Sequence, residues 1–186
     1  MKYLILLVLL IGCKPDPKEA RKELNELGVK FTENGLINSV LRGDKVAVKL
    51  FIDSGFNLNT SRSDGVTPLC AAADQKQLEI LKMLVNASAD PNLKCSRSGY
   101  VTSPLLISIQ PNNEDVFDFL IESGAKFNGK SKYGMSELSV AVANNSVSIV
   151  KYILKNNSDL TKQEVSDAIF QASNDDVIEL LRNFKK

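Results

Sequence analysis

The sequence contains no histidine among its 186 residues. Without an imidazole, the chain has no histidine general acid or base, no Ser–His or Cys–His nucleophile pair, and no imidazole ligand for a metal ion. It also has no glycine-rich phosphate-binding loop, and its acidic residues are scattered as in the solvated faces of helices. We therefore expect a protein that is not an enzyme and that needs no metal and no cofactor.

An excess of either charge sign is also missing, with 23 Lys and Arg against 22 Asp and Glu, for a formal net charge of +1. Domains that bind nucleic acids usually carry a basic excess, so we expect no nucleic acid partner. Hydrophobic residues make up 44% of the chain and charged residues 24%, which is ordinary for a soluble domain. The length allows one domain of moderate size.

The apolar run at the N-terminus is short. It covers nine residues, Tyr3–Ile11, after the positive Lys2. About 20 apolar residues are needed to span a bilayer, whereas nine suit the apolar region of a signal peptide. The run ends in Leu10-Ile11-Gly12-Cys13, which resembles the lipobox of bacterial lipoproteins. That resemblance implies a signal peptide over 1–12, cleavage before Cys13, and a diacylglyceryl group on the Cys13 sulfur.

This resemblance also implies a location. Acyl chains contribute about 0.8 kcal/mol per buried CH₂, and two or more chains give stable anchoring, so we expect a lipid-anchored protein of the bacterial cell envelope. Residues 13–17 would be the lipidated cysteine and a short tether. In some bacteria an aspartate directly after the acylated cysteine retains a lipoprotein at the inner membrane. This chain has Lys14 at that position, which favours the outer membrane, with the domain facing the periplasm or the cell surface. An ordinary secretory signal and a cytoplasmic protein with an apolar N-terminal helix remain as alternatives.

The stretch Asp64–Asn92 has the pattern of a turn, two helices and a loop. Asp64-Gly65 is typical of a turn, and Thr67-Pro68 is typical of a helix start, with a capping side chain followed by proline at the first helical position. Apolar residues then recur at helical spacing over 78–85 on one face. Such a unit has one apolar side and no core of its own, so it needs copies of itself beside it.

Those copies are present. Counting from Leu84, the equivalent positions lie 33 residues earlier, 36 later and a further 33 later, at Phe51, Leu120 and Ile153. Asparagine follows eight residues after three of the four, at Asn59, Asn92 and Asn128. This spacing and these endings resemble the ankyrin repeat family. The resemblance implies an all-α fold, an ankyrin repeat solenoid of stacked helix-turn-helix units with short β-turn fingers and capping helices.

On this interpretation the ankyrin repeat domain covers 18–186. It comprises an initial helix over 18–31, repeats at about 32–63, 64–96, 97–130 and 131–160, and a C-terminal cap over 161–186. The spacing of 36 between the second and third repeats places three additional residues in Leu93–Ser103. An enlarged finger is a place where solenoids put specificity; a neutral insertion in a surface loop is the alternative.

Two cysteines lie within the repeats. Cys70 replaces the histidine of the family's Thr-Pro-Leu-His motif inside a predicted helix, and its simplest interpretation is a small buried residue. Cys95 lies in the enlarged finger. The two could pair in an oxidising envelope, although the helix-interior position of Cys70 disfavours pairing, and the choice stays open. Nothing near either residue in the sequence would activate a cysteine nucleophile.

Ankyrin repeat proteins bind partners through their fingertips and the inner-helix face. Carried onto this sequence, the resemblance implies a protein partner, of unknown identity, contacting Thr60, Arg62, Val66, Asp74, Lys94, Arg97, Tyr100, Val101, Gln110, Lys132, Tyr133 and Met135. Tyr, Arg and Met are enriched in interface cores, so Tyr100 and Tyr133 are the first positions to test. We expect a monomeric protein–protein interaction module anchored at the envelope. The alternative is a structural spacer or assembly component of an envelope complex, without a discrete recognition partner.

Overall fold

The computed structural model describes residues 16–110, 113–129 and 131–184. The expected signal peptide, the expected lipidation site Cys13 and most of the tether lie outside these residues. The described helices are α1 (Pro17–Glu26), α2 (Glu33–Leu41), α3 (Lys45–Asp53), α4 (Pro68–Asp74), α5 (Leu78–Asn86), α6 (Pro104–Ser108), α7 (Glu114–Glu122), α8 (Glu137–Ala143), α9 (Val147–Asn156), α10 (Lys162–Gln171) and α11 (Asp175–Arg182). The strands β1 (Cys95–Arg97) and β2 (Tyr100–Thr102) pair antiparallel.

The helices form consecutive hairpins that stack on one another. Helices α2, α4, α6, α8 and α10 are the first members of the hairpins and are called inner helices; α1, α3, α5, α7, α9 and α11 are called outer helices. Inner helices pack on inner helices in the contacts of α2 with α4, α4 with α6 and α8 with α10, and outer on outer in those of α1 with α3, α3 with α5, α5 with α7 and α9 with α11. This is the expected all-α solenoid of stacked helical hairpins.

Short polar side chains start the inner helices, as the sequence predicts. The Thr67 hydroxyl accepts a hydrogen bond from the Cys70 amide at 3.3 Å, and Pro68 follows at the first helical position. Ser103 does the same for the Leu106 amide at 3.2 Å, again with proline next. A Ser or Thr oxygen at this position satisfies an amide that has no partner within the helix.

The core is a continuous apolar layer between the two rows of helices. Ala71, Ala72 and Ala73 are buried on α4, and their small side chains let neighbouring helices approach closely. Ile80, Leu81 and Leu84 fill the opposing face of α5 and are at most 1% exposed. No hairpin could bury this surface alone, so each depends on the next.

The asparagine that ends a repeat joins that repeat to the following one. The Asn92 side chain donates to the Gly124 carbonyl at 3.0 Å and accepts from the Lys126 amide at 2.9 Å. Asn59 accepts from the Asp90 amide at 2.8 Å in the same way. An amide side chain can donate and accept at once, which explains why asparagine recurs at this position of the pattern.

The enlarged finger is a β-hairpin rather than an irregular loop. Its two-residue turn is Ser98-Gly99, and both residues have positive φ, 50° and 84°. Positive φ at both central positions matches the twist of the flanking strands, which is why such turns dominate two-residue hairpins. The three additional residues therefore build paired structure that projects beside the neighbouring fingers.

Cys70 and Cys95 form a disulfide, with Cα atoms 6.5 Å apart. Cys70 is buried, as expected, and the pairing that the sequence left open is present. Cys70 lies in the first turn of α4, at the end of the helix that adjoins the fingers, and β1 passes directly beside it. Sequence position inside a helix gave no indication of which end of that helix the finger approaches.

Candidate functional site

An open cleft of about 470 Å³ lies between the β-hairpin finger, the following finger and an inner helix. The hairpin contributes Ser98 and Tyr100, and helix α8 with the residue that follows it contributes Val140, Ala143 and Asn144. The following finger contributes Ser131, Lys132, Tyr133 and Met135. We call these residues the finger cleft.

The hairpin side of the cleft is held in place by covalent and backbone bonds. The disulfide attaches β1 to α4, and the Ser96 amide donates to the Gly65 carbonyl of the preceding finger at 2.8 Å. Gly65 is required there, because a Cβ atom on it would lie 2.5 Å from the Ser96 Cβ. Tyr100 lies on β2, which is held in place through its pairing with the anchored strand β1.

The opposite side of the cleft is a tight turn. The Ser131 amide donates to the Met135 carbonyl at 3.0 Å, and the Ser131 hydroxyl accepts from the Met135 amide at 3.1 Å. Gly134 takes a positive φ of 72° to close the turn. The turn holds Tyr133 outward with 80% of its surface exposed, and the Lys132 ammonium lies 5.7 Å from the centre of its ring, within cation–π range.

Asn144 connects the floor of the cleft to the preceding repeat. Its side-chain amide donates to the Ile109 carbonyl at 2.7 Å, across the joint between α6 and α8. The rings of Phe117 and Tyr152 pack edge to face across the same joint on the outer side, with centroids 5.7 Å apart. The two walls of the cleft, which belong to different repeats, are therefore tied together.

The structure brings four of the expected partner-binding residues together in this cleft: Tyr100, Lys132, Tyr133 and Met135. Val101 is next to Tyr100 on β2 and is 62% exposed. Lys94 is exposed immediately before β1, and Arg97 pairs with Tyr100 in the hairpin ladder. Side chains alternate between the two faces of a strand, so Val101 and Tyr100 lie on opposite faces of the hairpin, and Val101 does not line the cleft.

Three further expected residues belong to the preceding finger. The Arg62 guanidinium is bound to the Asp64 carboxylate through contacts of 3.0 and 2.6 Å. The hydrogen bond from Arg62 lowers the pKa of Asp64 below its usual range, and the same bond raises the pKa of Arg62. Val66 is half-buried and closes the turn through its carbonyl, and Thr60 is also half-buried. This finger is electrically neutral, and its guanidinium is already bound.

Two expected residues lie at the other ends of the inner helices. Asp74 is the last residue of α4, and its carboxylate accepts from the side-chain amide of Gln75 at 3.2 Å. Gln110 follows α6 and is half-buried. Neither lines the finger cleft.

Ser98, Ser131, Val140 and Ala143 line the finger cleft but were absent from the expected set. Val140 and Ala143 are three residues apart on α8, next to buried Leu138, Ala141 and Val142, a spacing that could have indicated a second apolar face.

Within residues 16–110, 113–129 and 131–184, no three Asp, Glu or Cys side chains gather closely enough to hold a metal ion. Over the same residues, no helix combines the length and the apolar character needed to cross a bilayer.

Comparison with known proteins shows which family model and which proteins this chain is similar to. The family model for ankyrin repeats in three copies matches residues 2–95 and 94–164. An ankyrin repeat protein of fowlpox virus, FPV034, is 30% identical over 128 residues, covering 69% of this chain and 29% of the viral protein. Bacterial ankyrin repeat proteins are similar too: one from Borreliella burgdorferi is 25% identical over 134 residues, covering 72% of this chain and 59% of the relative.

A third relative, an ankyrin repeat-containing protein of Treponema pallidum, is 27% identical over 135 residues, covering 73% of this chain and 45% of the relative. The chain therefore spans less than two thirds of the length of each of these relatives.

Proposed function

Because the chain belongs to the ankyrin repeat family, we propose that it is a protein–protein interaction module whose recognition surface centres on the finger cleft. The family is an interaction fold rather than an enzyme fold. One observation carries the assignment of the surface: Tyr133, which is 80% exposed, lines an open cleft together with Tyr100 and Met135. Tyr and Met are residue types enriched in the buried cores of interfaces.

The anchoring of both fingers matters for binding energy. Ordering a flexible loop on association costs free energy, so a surface that is already fixed binds more tightly than a mobile one with the same residues. Here the disulfide, the Ser96–Gly65 bond and the Asn144–Ile109 bond fix the walls before a partner arrives.

A pull-down from detergent-solubilised membranes tests the assignment. The tagged full-length chain should retain a stoichiometric partner, and the Tyr100→Ala/Tyr133→Ala double variant should lose it. Phe170→Ala is the matched control, because Phe170 is 86% exposed on α10 and outside the cleft. Equal loss in the control, or full retention by the double variant, would contradict the assignment.

We also propose that the chain is exported and held at the bacterial cell envelope by a lipid on Cys13. The buried Cys70–Cys95 disulfide supports export, because disulfides persist in oxidising compartments and are rare in the cytosol. The Leu10-Ile11-Gly12-Cys13 sequence supports the anchor. Metabolic labelling with a fatty acid should mark the wild-type chain and not the Cys13→Ala variant; labelling of both, or of neither, would contradict the anchor.

A structural brace is the second candidate. The observation that favours it is the run of bonds made by Asn59, Asn92 and Asn144, which couple successive repeats into one stiff unit. A brace would stay in a large envelope complex whatever happens at the two tyrosines. Recognition predicts loss of one defined partner in the double variant, so the same pull-down separates the two functions.

A further inference from the structure

Resting on the proposed function, we propose the chemical class of the partner: an acidic segment of a protein that places an apolar side chain in the finger cleft and carboxylates around it. The proposal commits to peptide rather than nucleic acid. It follows from how charge is distributed over the fingers and from what lines the floor of the cleft.

The two fingers that flank the cleft carry basic residues and no acidic ones. Residues 94–103 and 130–135 contain Lys94, Arg97, Lys130 and Lys132, and neither stretch has an Asp or Glu. The side chains of Lys94 and Lys132 are exposed, and within the described part of the chain neither enters an ion pair. A chain with a formal net charge of only +1 therefore concentrates uncompensated positive charge beside the cleft.

The acids of the same repeat lie elsewhere. Glu114, Asp115, Asp118 and Glu122 are all on the outer helix α7, and none lines the cleft. The preceding finger is neutral because Asp64 binds Arg62. Since complementary potentials steer association and suppress wrong partners, a surface with this charge pattern favours a negatively charged partner at the cleft and disfavours a basic one.

The lining of the cleft combines apolar and polar groups. Tyr133, Met135, Val140 and Ala143 supply carbon surface, while Ser98, Ser131 and Asn144 supply groups that can bond a peptide backbone. A volume of about 470 Å³ lies within the range of ligand pockets, about 300–1,000 Å³. This arrangement suits an aromatic or branched aliphatic side chain inserted between flanking carboxylates.

A single-stranded nucleic acid fits the same surface less well. Such ligands need a positively charged groove that follows the backbone over several nucleotides, together with aromatic rings for stacking. Here the positive charge ends at the neutral Arg62–Asp64 finger on one side and at a loop containing Asp159 on the other. The basic surface is local, as an acidic peptide segment requires.

Selection from a random peptide library on the full-length chain, with its disulfide intact, tests the proposal. The recovered peptides should be enriched in Asp and Glu around an aromatic or branched aliphatic residue. Peptides recovered without acidic enrichment would overturn the proposal while leaving an interaction site in place. Failure to recover any peptide that depends on Tyr100 and Tyr133 would overturn the proposed function as well.

Fluorescence anisotropy on the strongest selected peptide supplies the quantitative test. Lys94→Glu/Lys132→Glu should weaken binding about fivefold or more, because each reversal turns an attraction into a repulsion, and Tyr133→Ala should weaken it by about tenfold. Lys155→Glu on the outer helix α9 and Phe170→Ala are the matched controls and should leave binding unchanged. Circular dichroism confirms that each variant is folded.

Two further measurements complete the test. Binding of the wild-type chain should weaken as salt concentration rises, and the double charge reversal should prefer a peptide in which lysine replaces each acid. Affinity that ignores both salt and charge reversal would overturn the proposal. Displacement of the peptide by unstructured single-stranded DNA at equal concentration would overturn the choice of peptide over nucleic acid.

Discussion

Glu137 occupies the first helical position of α8, where the other inner helices of the central repeats have proline. It is 4% exposed, and its carboxylate accepts the Gly129 amide at 2.7 Å. A proline would suit the helix but could not accept that bond. A departure from the repeat pattern therefore has a specific physical role in holding the loop that leads into the fourth repeat.

The first prediction is that Glu137→Pro destabilises the protein, although the repeat pattern alone would rate it an improvement. Leaving the buried Gly129 amide without an acceptor should lower the free energy of unfolding by about 1–3 kcal/mol. Glu137→Gln, which keeps an acceptor oxygen, should cost less. Urea unfolding of the two variants measures the difference, and equal stability of Glu137→Pro and wild type would contradict this role.

The ionised form of Asp118, on α7, is disfavoured in the folded protein. Burial raises its pKa above the usual range, and repulsion from Glu122, Asp115 and Glu114 adds to the increase. A carboxyl whose pKa is higher in the folded state favours folding most when it is protonated. Its contribution is therefore lost as pH rises through the folded-state pKa.

The second prediction follows from the raised pKa of Asp118. Asp118→Asn should raise the free energy of unfolding at pH 7 by a few tenths of a kcal/mol, since it removes like-charge contacts at helical spacing. The gain should shrink as pH falls through the raised pKa of Asp118, because protonation then removes the same charge. Urea unfolding across this range measures it. Asp175→Asn should destabilise instead, because Asp175 lies in the first turn of α11.

At the level of elements, the hairpin finger depends on the disulfide. The two strands have three residues each, and a short hairpin is marginally stable by itself in water. Attachment of Cys95 to the first turn of α4 and the bond from Ser96 to Gly65 give the hairpin its position. The element that carries Tyr100 thus exists as a fixed surface only in its tertiary setting.

The third prediction is that reduction of the disulfide destabilises the protein. Cys70 and Cys95 are 25 residues apart, and closing a loop of that size removes unfolded-state entropy worth about 3–4 kcal/mol. The Cys70→Ser/Cys95→Ser variant should show a similar loss and no response to reductant, which makes it the control. Hydrogen exchange should show the largest loss of protection in the hairpin; unchanged protection there would contradict the anchoring role.

For the molecule as a whole, stability arises between repeats as much as within them. Each hairpin buries its apolar face on the next, and the carbonyls and amides at the repeat ends are joined through Asn59 and Asn92. In a stacked array the interfaces between neighbours decide whether the repeats unfold together or separately. The asparagines are therefore expected to contribute to cooperativity.

The fourth prediction concerns that coupling. Asn92→Ala removes two bonds across the joint between the second and third repeats and should lower the free energy of unfolding by about 1–2 kcal/mol. Its unfolding transition should also broaden. Asn86→Ala, at the exposed end of α5, is the control and should stay within about 0.5 kcal/mol of wild type. A sharp, unshifted transition for Asn92→Ala would contradict coupling through this residue.

The sequence by itself determined the repeat register, the starts of the inner helices and the apolar faces. These depend on interactions within a few residues, such as Thr67 with the Cys70 amide, and on apolar residues at helical spacing. The finger residues, with Tyr100, Lys132, Tyr133 and Met135 among them, were named from the resemblance to the ankyrin repeat family once that register was known.

Only the tertiary structure decided which of those residues share a surface. Tyr100 and Tyr133 are distant in sequence and line one cleft because two repeats stack. The same stacking brings Cys70 to Cys95 and lets Val140 and Ala143 form a floor. It also places Asp74 outside the cleft, and it leaves Arg62 bound to Asp64. Local patterns fix each hairpin, whereas the contacts that make the recognition surface join residues of different repeats.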